Sequence, residues 1–191
     1  MKSILQMVIV LSLLCGSAGL CLSYLKMTTA ESIENQVLTF VQGPAILDVF
    51  KTADNSPIAD RKTFTLKDGR TVKVFPSLKK GRLEGVAIEQ FGTGYGGPLG
   101  VVVGFNIHND TLHGIGITTN KETAGIGTKV QEPAFRKQFP GKAIPVKLSR
   151  DGGEIDAISG ATVSSVGVMA AIGNAETIYQ ELKPLLLETW K

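Results

Sequence analysis

The most constraining feature of the chain is an uncharged apolar run, Ile4–Leu25, near the start of the sequence. As an α-helix, these 22 residues would span about 33 Å, close to the thickness of the hydrocarbon core of a bilayer. A cleaved signal peptide is the competing interpretation, but the run is long for one and no small-x-small cleavage site follows it. The sequence therefore predicts an uncleaved anchor with one transmembrane helix.

The flanking charges do not show which end of this helix faces the cytoplasm, because Lys2 lies on one side of the run and Lys26 on the other. Both cysteines, Cys15 and Cys21, lie inside the run, so the rest of the chain can hold neither a disulfide nor a thiolate metal site. The run contains no Asp, Glu, Lys, Arg or His, and we expect no ion path through this helix alone.

Length and charge set further limits on the chain. Its 191 residues suffice for one domain of ordinary size and a short extra element. We divide it into an anchor at 1–26, a helical linker region at 27–62 and a domain at 63–191. The net charge of +3 is dispersed, and no cluster of Lys and Arg is interleaved with aromatic residues, so we expect no nucleic-acid partner.

Residues 63–119 have the pattern of an antiparallel sheet. Thr63–Lys67 and Arg70–Phe75 alternate in polarity around Asp68-Gly69, which is a strong hairpin signal. Three more strands are predicted, at Leu83–Phe91, Leu99–Phe105 and, after a turn at Asn109-Asp110, Thr111–Thr119. Two short strands are expected later, at Val146–Leu148 and Ile155–Ile158.

Helices are predicted on both sides of the sheet in the sequence. From apolar spacing and proline positions they are Ser32–Val41 (before Gly43-Pro44), Thr128–Phe139 (weakened by Pro133) and Val163–Leu182 (kinked or ended by Pro184). The predicted fold class is α+β, with an N-terminal transmembrane helix followed by an antiparallel sheet and flanking helices.

The segment with the strongest chemical signal is 156–165, which reads Asp-Ala-Ile-Ser-Gly-Ala-Thr-Val-Ser-Ser. It puts the Thr162 hydroxyl after three small residues at the start of the last helix. The free N–H groups and the dipole of a helix N-terminus favour an anion, above all a phosphate. The alternative is purely structural: Ser159 or Thr162 caps the helix and Gly160 makes the turn.

A glycine-rich segment, Gly92–Pro98, formally contains Gly-x-Gly-x-x-Gly. A β-like run follows it instead of a helix, so it fails as a dinucleotide fingerprint. It is either a flexible turn between two strands or a loop that lets the backbone approach a flat ligand. In the second case Tyr95 could contact the ligand.

The sequence lacks the residue patterns of a metal site, a serine hydrolase and a c-type haem protein. His108 and His113 flank a turn, where we expect both to be exposed, and no third metal ligand accompanies them. There is no Gly-x-Ser-x-Gly elbow and no Cys-x-x-Cys-His sequence. We therefore predict no metal site and no catalytic residue.

Ser159-Gly160-Ala161-Thr162 resembles the flavinylation motif of the FMN-binding domain family. Residues 122–127, Glu-Thr-Ala-Gly-Ile-Gly, resemble that family's Glu-Thr-Pro-Gly-Leu-Gly loop, with Ala124 in place of proline and Ile126 in place of leucine. The structural alternative is a strand-to-helix loop with Thr123 or Thr128 as a cap and Glu122 solvated. The resemblance implies FMN joined through its phosphate to the threonine by a separate flavin transferase. The implied cofactor-binding residues are Thr162, Ser159, Gly160, Ala161, Tyr95, Glu122, Thr123, Gly125 and Gly127.

The resemblance also implies a function. It indicates a flavoprotein subunit, anchored in the inner membrane with its domain outside the cytoplasm, that works with the other membrane subunits of an Rnf-type complex. Such a complex transfers electrons between ferredoxin and NAD and moves Na⁺ or H⁺. The alternatives are a component of a sodium-pumping NADH:quinone oxidoreductase and an anchored regulatory or scaffold domain without a redox role.

Overall fold

The computed structural model describes residues 2–51 and 53–190. It separates the chain into two compact units, with the boundary between Thr39 and Phe40. The two units are described in turn.

The first unit consists mainly of one long helix, α1 (Lys2–Gln36). Its segment Lys2–Ala30 is long and apolar enough, by length and composition, to cross a membrane. The predicted apolar helix is thus present. It continues beyond Lys26, so the first part of the predicted helix at Ser32–Val41 belongs to α1, and a π-helical turn, Val37–Gln42, follows it.

The second unit is built on a five-stranded sheet in which sequence neighbours pair in order and all pairs are antiparallel. The strands are β1 (Lys62–Thr65), β2 (Thr71–Lys79), β3 (Arg82–Thr93), β4 (Pro98–Asn106) and β5 (Thr111–Thr119). The predicted hairpin at Asp68-Gly69 is confirmed, with Gly69 at a φ of 85° in the turn. The glycine-rich segment forms the end of β3 and a tight turn into β4, closed by a hydrogen bond from Gly94 N to Gly97 O.

Two helices, α2 (Gly43–Val49) and α4 (Thr162–Thr189), flank this sheet. Three smaller elements lie between β5 and α4 in the chain: a 3₁₀ turn at Gly127–Gln131, the short helix α3 (Pro133–Arg136) and a 3₁₀ turn at Ser149–Asp151. The α+β prediction is confirmed.

Three details of the prediction are wrong. The helix predicted at Thr128–Phe139 is broken at Glu132, which is extended, because Pro133 starts a new helix at a position that needs no N–H donor. The two short strands reduce to a single bridge between Leu148 and Ile155. The last helix continues through Pro184 to Thr189, where the buried Leu186 holds its final turns on the core.

One face of the sheet packs against α4. Alternate residues of β4 (Leu99, Val101, Val103 and Phe105) are fully buried in this core. The Phe105 and Tyr179 rings stack with centroids 4.4 Å apart, which fixes the middle of α4 on the strand. Nearer its start, α4 crosses β3 so closely that a Cβ on Gly92 would lie 1.9 Å from the carbonyl oxygen of Gly167. Only paired glycines permit this crossing.

The other face packs against α2, which the sequence analysis assigned to the linker region. Gly116 leaves room for α2, because a Cβ there would lie 2.8 Å from the Cβ of Ala45. His113 stands edge-on to the Phe50 ring, with centroids 5.5 Å apart. The expectation that this histidine is exposed is wrong, since its Nε2 is buried and has no hydrogen-bond partner among the described residues.

The glycine crossing predicts opposite effects of one substitution at two sites in α4. Gly167→Ala should lower the free energy of unfolding by about 1–3 kcal/mol, because overpacking a tight contact strains it. The new Cβ would lie 2.6 Å from the carbonyl oxygen of Thr93. Gly173→Ala, where the Cβ position has no atom within 4 Å, should raise it by about 0.5–1 kcal/mol through helix propensity. Urea unfolding of the detergent-solubilised chain measures both, and equal effects would contradict the crossing.

Burial of His113 predicts a pH dependence. Desolvation lowers the pKa of His113 from its ordinary value of 6.5, with the nearby Glu84 and Lys79 charges acting in opposite directions. The unfolded chain then binds a proton that the folded chain resists. The free energy of unfolding is therefore at its full value above pH 6.5 and decreases as the pH falls below 6.5.

The measurement is the free energy of unfolding at neutral pH and at about pH 5.5, within the range where histidine titrates. His113→Phe should reduce the loss of stability on acidification, whereas His108→Phe, at an exposed position, should leave it unchanged. An identical pH profile for the wild type and His113→Phe would contradict the burial of this imidazole.

Candidate functional site

The N-terminus of α4 has no side-chain cap. Ala161 occupies the N-cap position, and the first helical hydrogen bond runs from Ser165 N to Ala161 O at 3.0 Å. Thr162 is the first helical residue. Its side chain is exposed, and its hydroxyl has no hydrogen-bond partner within residues 2–51 and 53–190. The capping alternative for Ser159 or Thr162 is therefore wrong, and the threonine hydroxyl is left accessible.

The two serines after Thr162 and Val163 point into the protein instead. Ser165 is fully buried, and its hydroxyl accepts a hydrogen bond from Ile158 N at 3.0 Å and donates one to Ala161 O. This local network holds the turn before the helix. Gly160 lies in that turn with a φ of 78°, a left-handed conformation that favours glycine.

Ser164 donates a hydrogen bond to the carboxylate of Glu122. The other carboxylate oxygen of Glu122 accepts a hydrogen bond from Gly96 N at 2.9 Å. Glu122 is only 9% exposed, so the interpretation of it as a solvated side chain is wrong. It joins the loop at 122–127, the turn between β3 and β4 and the first turn of α4.

The loop at 122–127 is closed by its own backbone. Thr123 O accepts hydrogen bonds from Ile126 N and Thr128 N, and Thr128 Oγ1 accepts one from Gly125 N at 2.9 Å. Neither Thr123 nor Thr128 caps the 3₁₀ turn, whose N-cap position is Ile126 and has no side-chain hydrogen bond. The side chain of Thr123 is left exposed.

These three segments surround a cleft of about 580 Å³. Its lining contains seven of the nine predicted site residues, namely Tyr95, Glu122, Thr123, Gly127, Gly160, Ala161 and Thr162. Ser159 and Gly125 do not line it. The prediction missed Ile126, Val163 and Ser164, which complete the wall.

The rim and the floor of the cleft differ in chemistry. Tyr95, Ile126 and Val163 are 78%, 50% and 52% exposed, so the rim offers aromatic and aliphatic surface. Beside them lies the uncapped helix end, whose first N–H groups have no intrahelical acceptor. A cleft of this size with apolar walls and one anion-binding end suits a flat aromatic ligand that carries a phosphate. These residues therefore fit FMN.

Comparison with known proteins agrees with this chemistry. Residues 94–176 match the family model described as the FMN-binding domain. The matched segment begins at the turn that carries Tyr95 and ends within α4, so it includes every residue that lines the cleft. The match agrees with the resemblance of the Ser-Gly-Ala-Thr motif to that family.

Among the similar proteins are subunits G of ion-translocating oxidoreductase complexes. The chain is 30% identical to that of Cereibacter sphaeroides over 142 residues, which cover 70% of this chain and 64% of that protein. It therefore spans a little under two thirds of this relative. It is 28% identical to that of Vibrio cholerae serotype O1 over 181 residues, which cover 84% of this chain and 82% of that protein.

A solved structure shares the fold. Shewanella oneidensis NqrC superimposes with a TM-score of 0.54 at 22% sequence identity, over 71% of this chain and 72% of that one. At this identity the likeness supports the fold, and the chemistry of the site is argued from the chain's own residues.

The uncapped helix end predicts a contrast between two hydroxyl residues. In the chain prepared without cofactor, Thr162→Ala should change the free energy of unfolding by less than about 0.5 kcal/mol, whereas removing a true cap costs about 1 kcal/mol. Ser165→Ala should lower it by about 1–3 kcal/mol, because Ile158 N would lose its buried acceptor. Urea unfolding followed by circular dichroism measures both variants, and a larger loss for Thr162→Ala would restore the capping interpretation.

Proposed function

We propose that the chain is a membrane-anchored flavoprotein subunit that relays electrons through FMN attached covalently to the Thr162 hydroxyl. The observation that carries the proposal is the free, exposed hydroxyl at an uncapped helix end inside a cleft of flavin-compatible size. The family match of residues 94–176 supports FMN as the ligand.

The attachment end of the site is suited to a phosphodiester. Thr162, Val163 and Ser164 occupy the first three helical positions, whose N–H groups lack intrahelical acceptors. A phosphodiester keeps one negative charge, which the helix dipole stabilises at this end. Gly160 adds no side chain beside the hydroxyl, so a flavin transferase can reach it.

The rim of the cleft would hold the ring system. Tyr95 offers an aromatic face, and Ile126 and Val163 offer aliphatic surface that excludes water. When bound, a flavin accepts and donates one or two electrons, and the protein supplies attachment, orientation and electrostatics. We assign Thr162 as the tether and the rim residues as ring contacts.

The cellular setting follows from α1 and from the relatives. The apolar segment of α1 would anchor the chain in the inner membrane, with the flavin domain on the extracytoplasmic side. The named relatives are subunits of ion-translocating oxidoreductase complexes, so the partners would be the other membrane subunits of such a complex. Electrons would pass between ferredoxin and NAD through several subunits, coupled to Na⁺ or H⁺ movement, and this subunit would serve as a relay.

Intact mass tests the attachment. The chain made together with a flavin transferase should exceed its sequence mass by FMN less one water, and its flavin fluorescence should survive denaturation. Thr162→Ala should lose the adduct completely. Thr162→Ser should keep it if the hydroxyl alone is required.

Thr123→Ala is the matched control, because Thr123 is also exposed and lines the same cleft. It should keep the adduct on Thr162. An unmodified wild-type chain, or an adduct that survives in Thr162→Ala, would reject covalent attachment at this residue. Co-purification with multi-span partner subunits would support the complex over a free-standing scaffold or regulatory role.

A further inference from the structure

Glu122 has a position that its sequence motif does not explain. It lines the cleft, yet both of its carboxylate oxygens are used by other parts of the chain. Oε1 accepts the hydrogen bond from Gly96 N, and Oε2 accepts the one from Ser164 Oγ. Both oxygens of the carboxylate therefore accept hydrogen bonds from the protein, and the two donors come from two separate segments of the chain.

Two glycines leave the space that this carboxylate occupies. A Cβ on Gly94 would lie 2.2 Å from Oε1, and a Cβ on Gly127 would lie 2.3 Å from Oε2. Real Cβ atoms do not approach this closely, so both positions must stay unsubstituted while Glu122 keeps its place. The glycines of two separate motifs therefore serve one buried side chain.

The connection spans elements that are far apart in sequence. Gly96 lies in the turn between β3 and β4, and Ser164 is 42 residues beyond Glu122 in the chain. Local hydrogen bonds close the turn and the loop at 122–127 separately, whereas the Glu122 carboxylate joins both to the first turn of α4. The turn carries Tyr95 and the helix carries Thr162, so this carboxylate fixes the distance between the rim and the tether.

We infer that Glu122 is a positioning residue: its carboxylate clamps the turn at 94–97 to the first turn of α4 and so holds the cleft in the shape in which Thr162 is flavinylated. The second half of this inference rests on the proposed function. The clamp itself is a property of the chain alone and can be tested without any flavin.

Three variants separate shape from charge. Glu122→Ala removes both hydrogen bonds. Glu122→Gln removes the charge but can keep the contacts, because its amide oxygen accepts from Gly96 N and its amide group donates to Ser164 Oγ. Glu132→Ala, at an exposed glutamate, is the matched control.

Hydrogen exchange of the full-length, flavin-free chain in detergent tests the clamp. In Glu122→Ala, peptides that contain Gly96 and the first turn of α4 should exchange at least about tenfold faster, since local opening becomes easier. Glu122→Gln and Glu132→Ala should stay close to the wild type, while peptides from β4 should not change in any variant. Unchanged exchange at Gly96 in Glu122→Ala would overturn the clamp, and faster exchange across β4 as well would mean general unfolding and also overturn it.

The fraction of chain that carries the mass adduct tests the functional half. With a flavin transferase present, Glu122→Ala should reduce that fraction at least about fivefold, and Glu122→Gln should restore most of it. A full adduct in Glu122→Ala would overturn the link to flavinylation. If the wild type carried no adduct, the proposed function would fail while the exchange result still decided the clamp.

Discussion

The close approach of α4 to β3 is the contact on which the rest of the site depends. Gly92 and Gly167 meet without side chains between them, so the helix lies directly on the backbone of the strand. The crossing is five residues after Thr162, or about 7.5 Å along the helix at 1.5 Å per residue. It therefore delivers the start of α4 to the end of β3, where the turn at 94–97 begins. A larger residue on either side would move the tether away from the rim.

Polar contacts around this helix end divide into two groups with different tasks. Ser164 and Ser165 face inward and are used for structure, the first with Glu122 and the second with the turn before the helix. Thr162, at the head of the same turn of helix, makes no such contact and stays exposed. A hydroxyl that caps a helix cannot be esterified without losing its capping hydrogen bond, which would destabilise the helix. A hydroxyl that is to carry a phosphoester must therefore make no such hydrogen bond. Two of these three neighbouring hydroxyls are hydrogen-bonded inside the protein and the third is exposed, which is consistent with the proposed covalent tether.

A covalent tether also suits an anchored electron relay. In the proposed extracytoplasmic setting a freely dissociating FMN would be lost, whereas the proposed phosphoester would keep it on the chain. The sheet has helices on both faces, with α2 packed on Gly116 and α4 on Gly92. Sites supported by packed helices and strands are held more precisely than sites on loops alone, which would favour a constant distance from a bound ring to a redox partner.

The amino-acid sequence by itself determined the features that depend on near neighbours in the chain. The apolar run specifies a membrane-length helix, Asp68-Gly69 specifies a hairpin, and the small residues before Thr162 specify a helix start with a phosphate-compatible end. The apolar spacing at Thr128–Phe139 overestimated one helix, because Pro133 begins a new helix there. Pro184 did not end the last helix, because packing of the buried Leu186 outweighs the backbone preference of proline. Seven of the nine site residues came together in the cleft as motif resemblance implied.

Only the tertiary structure decided how those pieces are connected. Glu122 looked solvated because its partners, Gly96 and Ser164, are 26 and 42 residues away. His113 looked exposed because Phe50, which packs against it, lies 63 residues earlier in the chain. The absence of a cap on α4 was also invisible, since a threonine at a helix start reads as a cap until its backbone position is known. Burial and hydrogen-bond partners depend on contacts between distant segments, and these contacts exist only once the chain has folded.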